Sequence, residues 1–258
     1  MKNYKITFLG TCACDFSDKL NNEFKDCFDK NARRASSVMI NDSLLIDSGI
    51  HILDSLRIAK KDASKITDLF ISHLHSDHFN LDNIKKIAKC TKSLRLWVRD
   101  DAIIPQIENV QIVKMTPYTE YEVQSGVYVT GLLANHDPSS CPQHLIFKCG
   151  ERKLFYGCDG AWLLTPTYNY LKKAELDVAI FDCTMGDYLG DYRVGEHNCI
   201  SMLRILLPSL KNERIITNDT RVYFSHLAPS LHKPHDETEI IAKGFGASVA
   251  YDGLVTEL

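Results

Sequence analysis

Residues 71–78 read Ile-Ser-His-Leu-His-Ser-Asp-His, and no other stretch limits the fold of this chain so strongly. Three imidazoles and a carboxylate fall within six residues, directly after the apolar run Leu69-Phe70-Ile71. The run Asp68–Ser72 predicts a buried strand, so the donors begin where a strand ends. Imidazole and carboxylate together suit a divalent cation such as zinc or manganese. The fold must therefore bring a strand end to a metal pocket and supply further ligands from elsewhere.

The rest of the chain predicts short strands interleaved with helices. Lys5–Leu9, Ser37–Ile40 and Leu44–Asp47 are β-type runs, with Asn41-Asp42 as the turn of a hairpin. Ile50–Lys60 has helical spacing, and Leu81–Lys89 predicts a helix capped by Asn80. The middle carries strands at Arg95–Val98, Val110–Val113, Tyr121–Val123, Val127–Leu133, His144–Cys149 and Lys153–Cys158. Then come a helix near Pro166–Lys173, strand Val178–Asp182, helix Cys199–Leu207, strand Val222–Ser225, helix Asp236–Lys243 and two short closing strands. Strands in two batches, each with its own helices, are satisfied by two sheets packed face to face with helices outside.

Composition narrows the function classes. With 45% hydrophobic and 24% charged residues the chain is globular, and no repeat or linker divides it, so we expect one domain over 1–258. A net charge of −3 gives no global basic field to draw in nucleic acid or an anionic membrane. No run reaches the roughly 20 apolar residues of a membrane helix. The leader-like opening from Met1 is short and runs at once into Asp15 and Asp18. Nine scattered cysteines do not form a disulfide framework, which points to a reducing, cytoplasmic compartment.

His73-x-His75-x-Asp77-His78 after a buried strand resembles the signature of the metallo-β-lactamase fold superfamily. Further landmarks follow in order over nearly the whole chain: Phe8–Thr11, Arg33–Ser37, Leu45–Gly49, His136, Tyr156–Gly160, Phe224–His226 and Tyr251–Gly253. The resemblance implies an α/β (α+β) fold, a four-layer αββα sandwich, with two divalent metal ions at one edge of the sheets. It implies that His73, His75 and His136 hold one metal, that Asp77, His78 and His226 hold the second, and that Asp159 bridges them. Zinc or manganese suits such a set, and iron is also accommodated. Two metals about 3.5–4 Å apart polarise a substrate oxygen and supply hydroxide near neutral pH. Cys158 adjoins Asp159, but strand alternation would turn one away if the other faced the metals; we assign Cys158 to the core.

Glu196-His197-Asn198 resembles the segment that carries a non-ligand histidine in the phosphodiesterase branches of the superfamily. These include tRNA 3′-processing endonucleases and the cyclic phosphodiesterase of phosphonate breakdown. The resemblance implies a dimetal phosphodiesterase in which metal-bound hydroxide attacks phosphorus. Asp77 would orient the attacking hydroxide, and His197 would touch the phosphoryl group or protonate the leaving oxygen. Only 22 residues lie between His136 and Asp159, which leaves no room for a tRNA-gripping arm. The expected substrate is thus a small or cyclic phosphodiester, with nucleic acid not favoured. A nuclease and an acyl hydrolase (thioesterase or lactonase) are the alternatives. Arg33 is a further candidate for phosphate contact, His51, Phe79 and Trp162 are candidates for the pocket wall, and a homodimer is compatible with the sequence. The phosphonate-pathway enzymes carry a structural zinc on a Cys-x-Cys-x-x-Cys set. Here Cys12 and Cys14 are followed by Ser17, with Cys27 further on, so whether Cys12, Cys14 and Cys27 hold zinc stays open.

Overall fold

The computed structural model describes residues 4–187 and 191–258; Met1–Asn3, the start of the leader-like opening, lie outside them. Fourteen strands form two seven-stranded sheets among the described residues. The first contains β1 (Lys5–Gly10), β2 (Ser37–Ile40), β3 (Leu44–Ile46), β4 (Asp68–Phe70), β5 (Leu94–Arg99), β6 (Val110–Met115) and, returning from the chain's end, β14 (Val255–Glu257). Its order is β14-β1-β2-β3-β4-β5-β6. The second contains β7 (Glu120–Gln124), β8 (Val127–Leu133), β9 (Gln143–Cys149), β10 (Arg152–Gly157), β11 (Val178–Asp182), β12 (Arg221–Ser225) and β13 (Ala247–Val249), in the order β13-β12-β11-β10-β9-β8-β7.

Period-two alternation sorts the apolar side chains into layers. Ile6, Phe8, Leu44, Ile46, Phe70 and Trp97 of the first sheet meet Val127, Val129, Leu154, Tyr156, Val178 and Ile180 of the second in one central core. Their chain neighbours face outward. Leu45, Leu69 and Leu96 pack under α1 (Ile52–Ile58) and α2 (Leu81–Cys90). Phe155, Ala179 and Phe181 pack with Leu171 of α3 (Thr165–Leu171), Leu203 and Leu207 of α4 (Ile200–Asn212) and Ala242 of α5 (His235–Lys243). The result is the expected αββα sandwich. Asn80 caps α2 as anticipated, its side chain accepting from Asn83 N. No helix of the described residues is long and apolar enough to cross a membrane.

Most element ends shift by a residue or two from the sequence reading, and one shifts by more. α4 continues through Pro208 to Asn212 instead of stopping near Leu207. Pro208 lies on the exposed face, while Leu206, Leu207 and Leu210 keep the buried stripe going. Packing of that stripe outweighs the hydrogen bond that proline removes.

His144 in the second sheet and His232 in the loop before α5 make the fold acid-sensitive. His144 on β9 has neither ring nitrogen hydrogen-bonded, and burial brings its pKa down to about 4. Burial also brings His232 down to about 4. Both are neutral in the native state and titrate near 6.5 when unfolded. Their contribution is therefore complete above pH 6.5 and is lost as pH falls toward 4, at about 1.4 kcal/mol per group per pH unit. Asp252 runs the other way, because burial pushes its carboxyl up to about 6 and so favours the folded state on acidification. The net expectation is a loss of stability between pH 6.5 and 4.5. Urea titrations in chelator should show the unfolding midpoint falling over that range, and falling less in His144→Leu. A midpoint that stays flat in the wild type would contradict this assignment.

Candidate metal centre

The site lies where strand ends of both sheets meet. β3 and β4 run parallel in the first sheet, and β10, β11 and β12 run parallel in the second. Each delivers polar residues at or just beyond its C-terminal end: Asp47, His73–His78, Asp159, Asp182–Thr184 and His226. His136 comes from just beyond β8. Gly49 is required at this junction, because a Cβ there would stand 1.8 Å from the Asp77 carbonyl oxygen.

Seven side chains converge in two groups. In the first, His75 Nδ1 lies 3.2 Å from His73 Nε2 and 3.1 Å from His136 Nε2. In the second, His78 Nε2 and His226 Nε2 are 3.2 Å apart, with Asp77 Oδ2 at 3.4 and 3.6 Å from them. Asp159 serves both groups. Its Oδ2 stands 3.4 Å from His73 Nε2, 3.5 Å from His78 Nε2 and 3.9 Å from His136 Nε2. Its Oδ1 stands 2.8 Å from His226 Nε2, yet without hydrogen-bond geometry, so this buried oxygen has no hydrogen-bond partner.

The rest of each imidazole is already occupied, which decides which nitrogen faces inward. His78 Nδ1 donates to Asp47 Oδ2 at 2.7 Å, and His75 Nε2 donates to Asp137 Oδ2 at 3.2 Å. His136 Nδ1 donates to the Glu196 carbonyl at 3.3 Å, His226 Nδ1 meets Thr184 Oγ1 at 2.8 Å, and His73 Nδ1 meets Ser72 Oγ at 3.0 Å. In the neutral form of each ring, the nitrogens left facing one another are lone-pair donors. A buried set of imidazole lone pairs and carboxylates with an orphaned oxygen fits divalent cations.

The electrostatics agree. Burial alone would lower the pKa of both His78 and His226, but Asp159 and neighbouring carboxylates outweigh it and raise both, His226 to about 10. Burial likewise opposes ionisation of Asp77 and Asp159, yet His78 and His226 hold both carboxyls below their ordinary range. The cluster is built to hold positive charge.

His197 lies beside this set. Its ring centroid is 4.9 Å from that of His136 and 5.5 Å from that of His226. Its Nδ1 donates to Asp182 Oδ2 at 2.7 Å, leaving Nε2 free. Asp182 also accepts from Gly160 N through Oδ2 at 3.2 Å, and from Thr184 N and Thr184 Oγ1 through Oδ1 at 2.8 and 3.0 Å. One carboxylate thereby steadies His197, the turn after Asp159 and the hydroxyl that meets His226. Asp47 does the same for the first sheet, accepting from Ser72 N, Ser72 Oγ, His78 Nδ1 and Tyr156 Oη. Asp47 and His226 both hold left-handed backbone, at φ 62° and 56°, which costs a β-carbon residue about 1 kcal/mol or more.

Sequence reasoning assigned no role to Asp47, Asp137, Asp182 or Thr184. The available signal was position: each ends a strand or adjoins a ligand histidine. Arg33 requires a correction, since the structure does not bring it to the metal cluster. It is buried, with its guanidinium bonded to Thr11, the Ala250 carbonyl and His235. Arg34 is buried too, donating to the Phe24 and Cys27 carbonyls. Cys158 is in the central core. Cys12 is buried and donates to the Asp15 carbonyl, while Cys14 and Cys27 are exposed. Among the described residues no cluster of potential metal ligands includes a cysteine. His51 is half-buried, edge-on to Phe16 at 4.5 Å between ring centroids. Phe79 packs against the outer layer of the first sheet, and Trp162 is 38% exposed.

Fold and site together define the class: the chain has the metallo-β-lactamase fold. The fold protein YhfI from Bacillus subtilis superposes with a TM-score of 0.76 at 17% identity, covering 100% of both chains. A diphosphatase of the PhnP family gives 0.69 at 17% identity, covering 100% of this chain and 98% of that one. The short form of human tRNase Z gives 0.68 at 17%, covering 98% of each. By sequence, residues 5–103 match the family described as anti-Pycsar protein Apyc1. No curated protein sequence matches the chain.

Proposed function

We propose that this protein is a metal-dependent phosphodiesterase that opens a small or cyclic phosphodiester to a monoester. The observation that carries this reading is His197, a histidine outside the seven-residue cluster whose free nitrogen stands next to it while Asp182 holds the other. An acyl hydrolase on this fold has no need of such a group. A diphosphatase and a tRNase Z among the similar structures support phosphorus chemistry. The 22 residues between His136 and Asp159 are occupied by a short turn and strands β9 and β10, which supports a small substrate over tRNA.

His73, His75 and His136 would hold one cation, Asp77, His78 and His226 the other, and Asp159 would reach both. Zinc and manganese fit these donors, and iron is also accommodated. When bound, the cations supply an activated water and neutralise the phosphoryl oxygens. Asp77, held ionised beside His78 and His226, orients the attacking water. The new P–O bond would form to that water's oxygen, its proton passing to solvent, as the P–O bond to the leaving group breaks. His197 Nε2 gives its proton to the departing oxygen. Burial works against imidazolium at His197, but the charge and hydrogen bond of Asp182 prevail and raise its pKa, which favours the acid form. The nine free cysteines support a cytoplasmic setting.

Purified protein loaded with manganese or zinc should hydrolyse bis(p-nitrophenyl) phosphate, with little turnover of a thioester or a lactone. Turnover of the acyl substrates alone would replace this reading with an acyl hydrolase. Processive release of nucleotides from RNA or DNA ends, with steep salt dependence, would replace it with a nuclease.

A further inference from the structure

The His197 ring is bonded to its surroundings through Nδ1 alone, which meets Asp182 Oδ2 at 2.7 Å and Thr184 Oγ1 at 3.1 Å. A ring tied at one atom can still swing about it, so its backbone must be fixed as well. Both chain neighbours do this. On one side, the Glu196 carbonyl takes His136 Nδ1. On the other stands Asn198, a residue that the catalytic reading leaves unused, at 1% exposure. A buried amide is costly unless its polar atoms are paired, and both of these are. Asn198 Oδ1 accepts from Trp162 N at 2.8 Å, and Nδ2 donates to the Gly160 carbonyl at 2.8 Å.

Gly160–Trp162 is the turn that leads away from Asp159, and its other peptide groups are bonded too. Gly160 N donates to Asp182 Oδ2 at 3.2 Å. Ala161 N donates to the Asn135 carbonyl at 3.1 Å, and the Ala161 carbonyl accepts from Asn135 Nδ2 at 3.0 Å. Asn135 directly precedes His136. Gly160 admits no side chain, because a Cβ would stand 2.7 Å from His144 Cε1. Trp162 keeps left-handed backbone at φ 54°, which is unfavourable for a residue with a β-carbon. The bond from its N–H to Asn198 helps to hold it there. The Asn198 amide thus braces the segment that carries His197 directly against the turn that follows Asp159.

We propose that Asn198 is a positioning residue for the phosphodiester reaction. It fixes where His197 Nε2 stands relative to the metal cluster and touches no substrate itself. This role rests on the reading of His197 as proton donor. Asp182 governs how readily His197 gives up its proton, and Asn198 governs where that proton is delivered. A displacement of about 1 Å in a reacting group costs up to about 10²-fold in rate.

The test compares wild type, His197→Ala and Asn198→Ala, metal-loaded, on an alkyl diester and on bis(p-nitrophenyl) phosphate. Asn198→Ala should keep both metals and lower kcat on the alkyl diester by about 10–100-fold. Its loss on the nitrophenyl diester, whose leaving group departs without a proton, should be much smaller. The alkaline limb of its rate profile should stay at the wild-type pH, because Asp182 keeps its bond to Nδ1. Asn198→Asp retains the side chain's size and the Trp162 bond and loses the donor to Gly160. It should show the same split between substrates, so the outcome does not depend on the alanine variant folding. Equal losses on both diesters, loss of metal, or a shifted alkaline limb in Asn198→Ala would overturn the proposal while His197→Ala keeps its own split. Absence of a split in His197→Ala would overturn the proton-donor reading, and this role with it.

Discussion

Replacing Asp159 with alanine is expected to lower the metal content from two ions per chain to one or none and to reduce kcat/KM by on the order of 10³-fold or more. Asp159 is the only carboxylate of the cluster that faces both groups of histidines, with Oδ2 toward His73 and His78 and Oδ1 toward His226. Without it, the first group has three neutral imidazoles and no anion. The second keeps Asp77 as its sole negative charge. The carboxylate also raises the basicity of His78 and His226, and that support disappears with it. Elemental analysis of the purified variant is the decisive reading, beside a circular dichroism check that the sandwich persists. The fold is expected to survive, because Asp159 belongs to none of the apolar clusters that hold the sheets together. A variant that retains two metals per chain would remove Asp159 from the shared position.

The candidate ligand side chains were legible in the sequence because four of them lie within six residues after an apolar strand, and the others follow strands in a recognisable order. Imidazole donors of that density have few structural uses. The supporting carboxylates were not legible in the same way. Asp47 and His78 are 31 residues apart, Asp182 and His197 15 apart, and a single aspartate at a strand end carries no mark of its partner until both sheets are assembled. Thr184 is harder still, since a threonine after a strand is unremarkable until its hydroxyl meets Asp182 and His226. The layered fold followed from strand alternation, which survives in short segments such as Leu44–Ile46. The helix expected over Cys199–Leu207 runs on through Pro208 because tertiary burial outweighs the local cost of proline. Arg33, a candidate for phosphate contact, is instead buried with its guanidinium on Thr11, Ala250 and His235, partners that its place at a strand entry does not reveal.

His197→Ala is expected to leave both metals in place and to reduce kcat by about 10²–10⁴-fold, the range for loss of a positioned proton donor. The separation of metal content from turnover distinguishes it from Asp159→Ala. The size of the effect should depend on the leaving group. A p-nitrophenolate departs readily without a proton, so its diester should lose little, whereas an alkyl diester needs its departing oxygen protonated and should bear nearly the full loss. Asp182→Asn should move in the same direction but less far, because His197 keeps its place while losing the charge that raises its pKa. The alkaline limb of the wild-type rate profile should then shift to lower pH in Asp182→Asn, since a less basic imidazole sheds its proton sooner. Comparing nitrophenyl and alkyl diesters across wild type, His197→Ala and Asp182→Asn therefore separates proton donation from mere packing. Equal losses on both substrates would assign His197 to binding the phosphoryl oxygens, and unchanged turnover would remove it from the reaction altogether.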